Sequence, residues 1–188
     1  MDKPLMGQKI ALLVANGFDE TDMTHAQRRL NASGASLKLI APENGLVNSW
    51  VGHAWGHHFP TDANVATTLA ADYDALDVCG GRRSIDKLKD NAHARRIVRG
   101  FFDAGKPMML LGCAVELLAA AERAVDCVVT GDEASKEIML AAGATWVTET
   151  PCVQTFLATA TGNQAENPAF DIMDDFFAQA PEAFKQAA

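Results

Sequence analysis

Short apolar runs alternate with amphipathic segments along nearly the whole chain. The first apolar run, residues 10–14, predicts a strand. Met23, Ala26 and Leu30 then recur at helical spacing, and the helix they predict ends at Gly34. The same pattern predicts further strands at residues 36–41, 73–79, 107–111 and 127–130, with two or three more up to residue 159. Further helices are predicted at residues 91–104, 114–123 and 133–142, and a final amphipathic helix carries Phe170, Met173 and Phe177. Residues 46–61 predict short strands or a hairpin.

Alternating strands and helices predict an α/β fold with a largely parallel sheet and helices on both faces. In such a sheet, reactive groups collect beyond the carboxyl ends of the strands. Those ends are residues 16–22, 79–83 and 112–116. We therefore expect these three segments to meet in space, although they lie far apart in the sequence.

Composition and charge narrow the classes of function. Hydrophobic residues make up 48% of the 188 residues and charged residues 21%, as in soluble globular proteins. The formal charge of −8 argues against a general nucleic-acid binder, because phosphate binding needs clustered lysine and arginine. No apolar run reaches the roughly 18 residues of a membrane span or has the form of a signal peptide. These features predict a cytoplasmic protein without a membrane or nucleic-acid partner.

The cysteines give no sign of a metal site. Cys79, Cys113, Cys127 and Cys152 match no zinc-binding spacing, and three of them lie in or at the ends of apolar strands. Free thiols in a reducing compartment are the simplest interpretation.

An ordered set of short motifs resembles one family over about residues 9–178. The motifs are Leu13-Val-Ala-Asn-Gly-Phe-Asp-Glu, Trp55-Gly with Phe59-Pro, Asp72-Tyr-Asp-Ala-Leu, Gly105-Lys-Pro and Ala142-Gly-Ala-Thr-Trp-Val. Together they resemble the PfpI/ThiJ family, which is related to class I glutamine amidotransferases. The resemblance implies one PfpI-like domain over residues 1–188, a flavodoxin-like three-layer sandwich, a homodimer, and neither a metal nor an organic cofactor.

The resemblance also assigns site positions. In active relatives a strand ends in a sharp turn bearing Cys-His, where a helix N-terminus stabilises the thiolate. Aligned without gaps, that cysteine falls on Gly112 and the histidine on Cys113. The carboxylate that supports the thiol falls on Asp22, one methylene shorter than the usual glutamate. The amides of Gly80 and Gly81 match the turn that can face a developing oxyanion.

Several other site positions differ from the family pattern. Cys79 replaces the proline of the Gly-Gly turn, Gly131-Asp-Glu replaces Ser-Tyr-Pro, and Thr161 replaces a late arginine. Turns with glycine in place of the cysteine also resemble the C-terminal domains of large-subunit catalases, which share the fold and lack its thiol chemistry. The first hypothesis is therefore a non-catalytic or repurposed domain.

A second hypothesis is a cysteine-dependent hydrolase, deglycase or amidase-like enzyme whose nucleophile has moved to Cys113. This thiol would still begin the next helix, whose dipole favours thiolate. Asp22 or Glu116 could orient it, and His25 or His53 would have to approach through the fold or a dimer contact. The competing interpretation of Cys113 is a small buried apolar residue.

A third hypothesis is a binder of a metal or a small molecule. His53, His57 and His58 lie close together in the sequence, but Gly52 and Gly56 disfavour the helix that would bring the first two onto one face. On a strand they would share a face yet lie far apart. Surface histidines in a loop are the competing interpretation.

Overall fold

Seven strands form the central sheet of the computed structural model, which describes residues 3–163 and 166–183. The strands of the described chain are β1 (Lys9–Leu13), β2 (Phe18–Asp19), β3 (Ser36–Ala41), β4 (Leu46–Val51), β5 (Ala54–Pro60), β6 (Ala63–Asn64), β7 (Ala75–Val78), β8 (Met108–Leu111), β9 (Val128–Val129), β10 (Thr145–Trp146), β11 (Cys152–Gln154) and β12 (Leu157–Ala160). The helices are α1 (Glu20–Ala32), α2 (Arg82–Asp90), α3 (Ala92–Asp103), α4 (Glu116–Ala120), α5 (Lys136–Ala141) and α6 (Pro168–Ala183).

The central sheet has the strand order β11-β12-β8-β7-β1-β3-β6. Every pairing in it is parallel except that of the edge strand β11, which runs antiparallel to β12. The predicted largely parallel sheet is therefore confirmed. None of the helices in the described chain combines the length and apolar composition that a bilayer crossing requires.

One face of the sheet packs against α2, α3, α4 and α5. Its core joins strand residues such as Leu13 and Leu110 to Ile97, Phe101 and Leu118 on the covering helices. The apolar stripe predicted for residues 91–104 is the buried face of α3.

The other face packs against α1 and α6. Met23 and Leu30 of α1 contact the same core as Met173 and Phe177 of α6. Both stripes were expected from their helical spacing, and the three-layer sandwich is confirmed.

The structure contains a helix that the sequence pattern did not predict. Of the nine residues of α2, only Ser84, Ile85 and Leu88 are buried, and the other six are all charged. Two apolar residues are too few to produce a helical period. The predicted helix at 114–123 is also shorter than expected, because a 3-10 turn at Gly112–Val115 precedes α4.

A buried carboxyl group lies in the middle of the sheet without a partner. Asp77 of β7 pairs in register with Leu12 and Met109 and is fully buried. Neither of its oxygens has a hydrogen-bond partner in the described chain. Burial, with a smaller contribution from the negative charge of Asp22, raises the pKa of Asp77 from 3.8 to about 8.

This raised pKa makes the stability of the protein fall as pH rises. The folded protein keeps the Asp77 proton up to about pH 8, whereas the unfolded chain loses it near its ordinary pKa of 3.8. The contribution of protonated Asp77 to the free energy of unfolding is fully present below about pH 4. It decreases by about 1.4 kcal/mol per pH unit as the pH rises towards 8.

Replacing Asp77 tests this interpretation. We expect Asp77→Asn, which cannot ionise, to flatten the decline in unfolding free energy between pH 5 and 8. Asp77→Val should also remove the unpaired polar group and stabilise the protein at pH 7 by about 1–3 kcal/mol. Urea unfolding at several pH values measures both effects. An Asp77→Asn variant with the wild-type pH slope would contradict a protonated Asp77.

Candidate functional site

Three strand ends meet at one edge of the sheet, as predicted. The Asp19 amide, before α1, donates to the Gly80 carbonyl after β7 at 2.9 Å. The Gly80 amide donates in turn to Asp22 Oδ2 at 3.3 Å. An ideal Cβ built on Gly80 would lie 3.2 Å from the carbonyl oxygen of Leu111, the last residue of β8. The segment that follows β8 is the elbow, and we use that name for residues 111–113.

Gly112 adopts a left-handed backbone conformation at the elbow, with φ of +59°. This conformation costs a residue with a side chain about 1–2 kcal/mol and suits glycine. A Cβ built on Gly112 would lie 2.9 Å from Asp132 Oδ2, 3.2 Å from Asp132 Oδ1 and 3.2 Å from the Gly162 Cα. The carboxylate of Asp132 therefore lies in close contact with the position that a side chain at residue 112 would take.

The loop after β12 closes over the elbow. The Gly162 amide donates to Asp132 Oδ1 at 3.2 Å, and the Asn163 amide donates to Asp22 Oδ1 at 2.9 Å. A Cβ built on Gly162 would lie 3.0 Å from the Gly112 Cα. Two carboxylates thus hold two successive amides of this loop against the elbow.

Asp22 is buried and favours its protonated form. Burial raises its pKa from 3.8 to about 7, and the nearby charges of Asp19 and Asp132 act in the same direction. The amides of Gly80 and Asn163 oppose the rise, because they donate hydrogen bonds to the carboxylate. The predicted supporting carboxylate thus lies at the elbow, but it contacts backbone amides.

Cys113 is almost completely buried at the elbow. Its residue exposure is 2%, and it belongs to the cluster covered by α2–α5. Burial raises the pKa of the Cys113 thiol from 9.0 to about 11. The guanidinium of Arg82 and a hydrogen bond from the Gly81 amide lower it, and the negative charges of Asp132 and Glu116 raise it. The thiol is therefore protonated and shielded at neutral pH.

The two histidines proposed as partners of Cys113 lie in other parts of the protein. His25 packs edge-on against Phe170 of α6, with ring centroids 5.5 Å apart, on the opposite face of the sheet. His53 lies in the turn between β4 and β5. Within this chain neither is in a position to take a proton from Cys113.

Glu116 is buried, and both of its carboxylate oxygens accept hydrogen bonds within a cluster of charged and polar side chains. Arg82 donates to its two oxygens at 2.7 and 2.9 Å, Lys89 contacts it at 2.6 Å, and Ser135 Oγ donates at 2.7 Å. Burial acts to raise the pKa of Glu116, but these hydrogen bonds lower it from 4.5 to about 2. The cluster ties α2 and α4 together beside Cys113.

The amides expected to face an oxyanion already have partners within the protein. The Gly80 amide donates to Asp22, and the Gly81 amide faces the Cys113 thiol, whose pKa it lowers. A Cβ on Gly81 would lie 2.6 Å from the Asp19 nitrogen, so only glycine fits this turn. The Gly-Gly turn thus holds the strand ends together.

The histidines of residues 53–58 lie on or next to the β4–β5 hairpin, whose presence is confirmed. His57 Nδ1 lies 2.8 Å from Glu20 Oε1, and the ring is largely exposed. In the residues that the structure describes, no group of three His, Cys, Asp or Glu side chains has the arrangement of a metal site.

Sequence reasoning missed the part that Asp132 and Gly162 play at the elbow. Both lie far from residue 112 in the chain, and neither belongs to a motif that points to it. The replacement of the family's tyrosine by Asp132 was visible as a departure but carried no geometric information.

Comparison with known proteins shows which family the chain matches. A family model described as the DJ-1/PfpI family matches residues 8–174. A deglycase from Pyrococcus horikoshii is 25% identical over 139 residues, which cover 74% of this chain and 81% of the deglycase. A catalase HPII from Mycobacterium avium is 28% identical over 117 residues, which cover 62% of this chain. The match spans 16% of the catalase, about a sixth of its length.

Solved structures share the fold. A two-domain protein from Anabaena variabilis contains DJ-1/ThiJ/PfpI-like and ferritin-like domains and superposes with a TM-score of 0.81 at 20% identity. The superposition covers 92% of this chain and 47% of that one. A ThiJ/PfpI domain protein from Brachyspira murdochii superposes with a TM-score of 0.80 at 16% identity, covering 95% and 98% of the two chains.

The close approach of Asp132 to Gly112 predicts that substitutions at these two positions have coupled effects on stability. We expect Gly112→Ala to destabilise the protein by about 1–3 kcal/mol, through the left-handed backbone and the contact with Asp132. Asp132→Ala in the same chain should restore about 1 kcal/mol by making room for the new methyl group. A double-mutant cycle in urea measures this coupling. Strictly additive effects would contradict contact between the Asp132 carboxylate and the side-chain position of residue 112.

Proposed function

This chain belongs to the DJ-1/PfpI family, and we propose that it is a member whose elbow performs no cysteine chemistry and whose role is non-catalytic. The proposal rests on Gly112. This residue offers no thiol, hydroxyl or amine, and the carboxylate of Asp132 lies only 2.9 Å from the position that its Cβ would take.

The closure of the elbow supports the proposal. Gly112 and Asp22 are buried, and the Gly162 Cα approaches the Gly112 backbone closely. A reacting carbonyl group must reach within about 3–3.5 Å of its nucleophile. The loop of Gly162 and Asn163 stands in that approach.

The ionisation of Cys113 supports it further. With a pKa of about 11, about one thiol in 10⁴ is ionised at pH 7. The thiolate, not the thiol, is the nucleophile, and this one is also shielded by burial. Cys113 therefore behaves as a small apolar residue in the site.

Domains of this fold also occur as parts of longer proteins, such as the two-domain protein from Anabaena variabilis. A domain without a reactive thiol can serve as a unit for assembly or ligand binding. The homodimer that the resemblance implies belongs to this proposal, and sedimentation measurements test it.

The alternative is a cysteine-dependent hydrolase, deglycase or amidase-like enzyme that uses Cys113. Two observations favour it: the similarity to a deglycase, and the presence of Arg82 and the Gly81 amide, both of which lower the pKa of this thiol. Burial outweighs both, and the net pKa lies above 9.0.

Replacing Cys113 separates the two functions. We expect wild-type protein and Cys113→Ser to have the same activity, at background level, on glyoxal adducts, amides and peptides, because the buried thiol takes no part in chemistry. The deglycase from Pyrococcus horikoshii serves as the positive control in the same assays. Circular dichroism confirms that the variant is folded, and Cys113→Ala provides a second variant without a polar group.

Turnover by the wild-type protein that disappears in both variants would contradict the non-catalytic role. It would establish Cys113 as the nucleophile and require the elbow loop to open.

A further inference from the structure

The β4–β5 hairpin carries a cavity of about 380 Å³ on one face. It is lined by Asn16, Leu46, Asn48, Trp55 and His58. Asn16 follows the carboxyl end of β1, so the cavity lies at the edge of the sheet where ligands of parallel α/β folds bind. A volume of this size is within the range of small-molecule sites.

A β-bulge brings the lining side chains to one face. Asn48 pairs with His58 and Trp50 pairs with Trp55, so two residues of β5 oppose the single residue Ser49 between those pairs. In a regular strand, positions 55 and 58 would point to opposite faces. The extra residue reverses that alternation, and bulges commonly re-aim side chains in this way.

The bulge is held from beneath by Glu20. Its Oε2 accepts hydrogen bonds from Ser49 Oγ and from the His57 amide, the latter at 3.0 Å. A Cβ on Gly56 would lie 2.5 Å from the same carboxylate oxygen, so glycine is needed at this position. These contacts are independent of the elbow.

The aromatic platform of the cavity is oriented before any ligand binds. Trp55 is 52% exposed and packs edge-on against Trp50, with ring centroids 5.2 Å apart. Trp50 is fixed by a hydrogen bond from Nε1 to the Gly52 carbonyl at 2.9 Å and by the Arg83 guanidinium, 4.1 Å from its ring centroid.

Most polar side-chain groups that line the cavity have no hydrogen-bond partner in the described chain. In the described chain, the side chains of Asn48, Trp55 and His58 form no hydrogen bond. Asn16 Oδ1 accepts a hydrogen bond from the backbone N–H of Asn48 at 2.7 Å. The side-chain NH₂ group of Asn16 remains without a partner in the described chain. Free donors and acceptors beside an exposed indole match a ligand that has both kinds of group.

We propose that this cavity binds a neutral, planar heteroaromatic ring of the purine-nucleoside type, stacked on Trp55 with its edge against the side-chain amide of Asn16. Aromatic side chains stack on nucleobases, and the NH₂ group of Asn16 with the second lone pair of its Oδ1 matches the donor and acceptor edge of adenine. None of the five lining residues is an acid, a lysine or an arginine, and the chain carries a net charge of −8. The Arg83 guanidinium lies 5.9 Å from the Trp55 ring centroid but stacks more closely on Trp50, at 4.1 Å. The lining itself therefore favours a neutral nucleoside over a charged nucleotide.

Adenosine is the probe, and its binding is measured by tryptophan fluorescence quenching and saturation-transfer NMR. We expect saturable binding that Trp55→Ala weakens about tenfold or more, since a stacking partner is lost. Gly56→Ala should weaken it as well, by disturbing the bulge without touching the ligand. Val153→Ala, an equally exposed change on β11, is the matched control and should bind like the wild type.

Two further ligands test the chemistry of the site. Adenosine monophosphate should bind more weakly than adenosine, and methyl α-glucoside, which is not planar, should not compete. No saturable adenosine binding up to about 5 mM would overturn the proposal. Wild-type affinity in Trp55→Ala, or tighter binding of the glucoside, would overturn it equally. Circular dichroism of each variant shows that weakened binding does not come from unfolding.

Discussion

The architecture of the site depends on one close approach, between the backbone of Gly112 and the carboxylate of Asp132. The strand β8 ends in a left-handed turn, and Asp132 and Gly162 lie so close to it that a side chain at position 112 would displace them. Where the resemblance to PfpI/ThiJ proteins places a thiol, this chain has a bare backbone beside a carboxylate.

The protonation states of the buried acids Asp22 and Glu116 follow from the groups that contact them. Residue 112 has no thiol that could donate a hydrogen bond to Asp22. The carboxyl group of Asp22 instead accepts hydrogen bonds from the backbone amides of Gly80 and Asn163, and its burial favours the protonated form. Glu116 is ionised instead, because Arg82 and Lys89 reach it. The contrast shows that cation partners, more than depth in the protein, decide whether a carboxyl group at this edge carries charge.

Much of the fold could be predicted from the sequence, since the apolar periods of residues 36–41 and 91–104 report directly on burial. The helix α2 could not, because its charged residues outnumber its two apolar ones. The convergence of Asp22, Gly80 and Gly112 followed from the rule that parallel strands end at one edge. The contacts of Asp132 and Gly162, and the bulge that turns Trp55 and His58 to one face, depend on loop geometry that no periodicity encodes.

The most direct test of an elbow without a reactive thiol is the alkylation rate of each cysteine in the folded protein at pH 7, measured by isotope-labelled iodoacetamide and peptide mass spectrometry. The account predicts that Cys113 reacts far more slowly than the partly exposed Cys152 and reaches the rate of a free thiol only in denaturant. Rapid labelling of Cys113 in the folded state, ahead of every other cysteine, would contradict it.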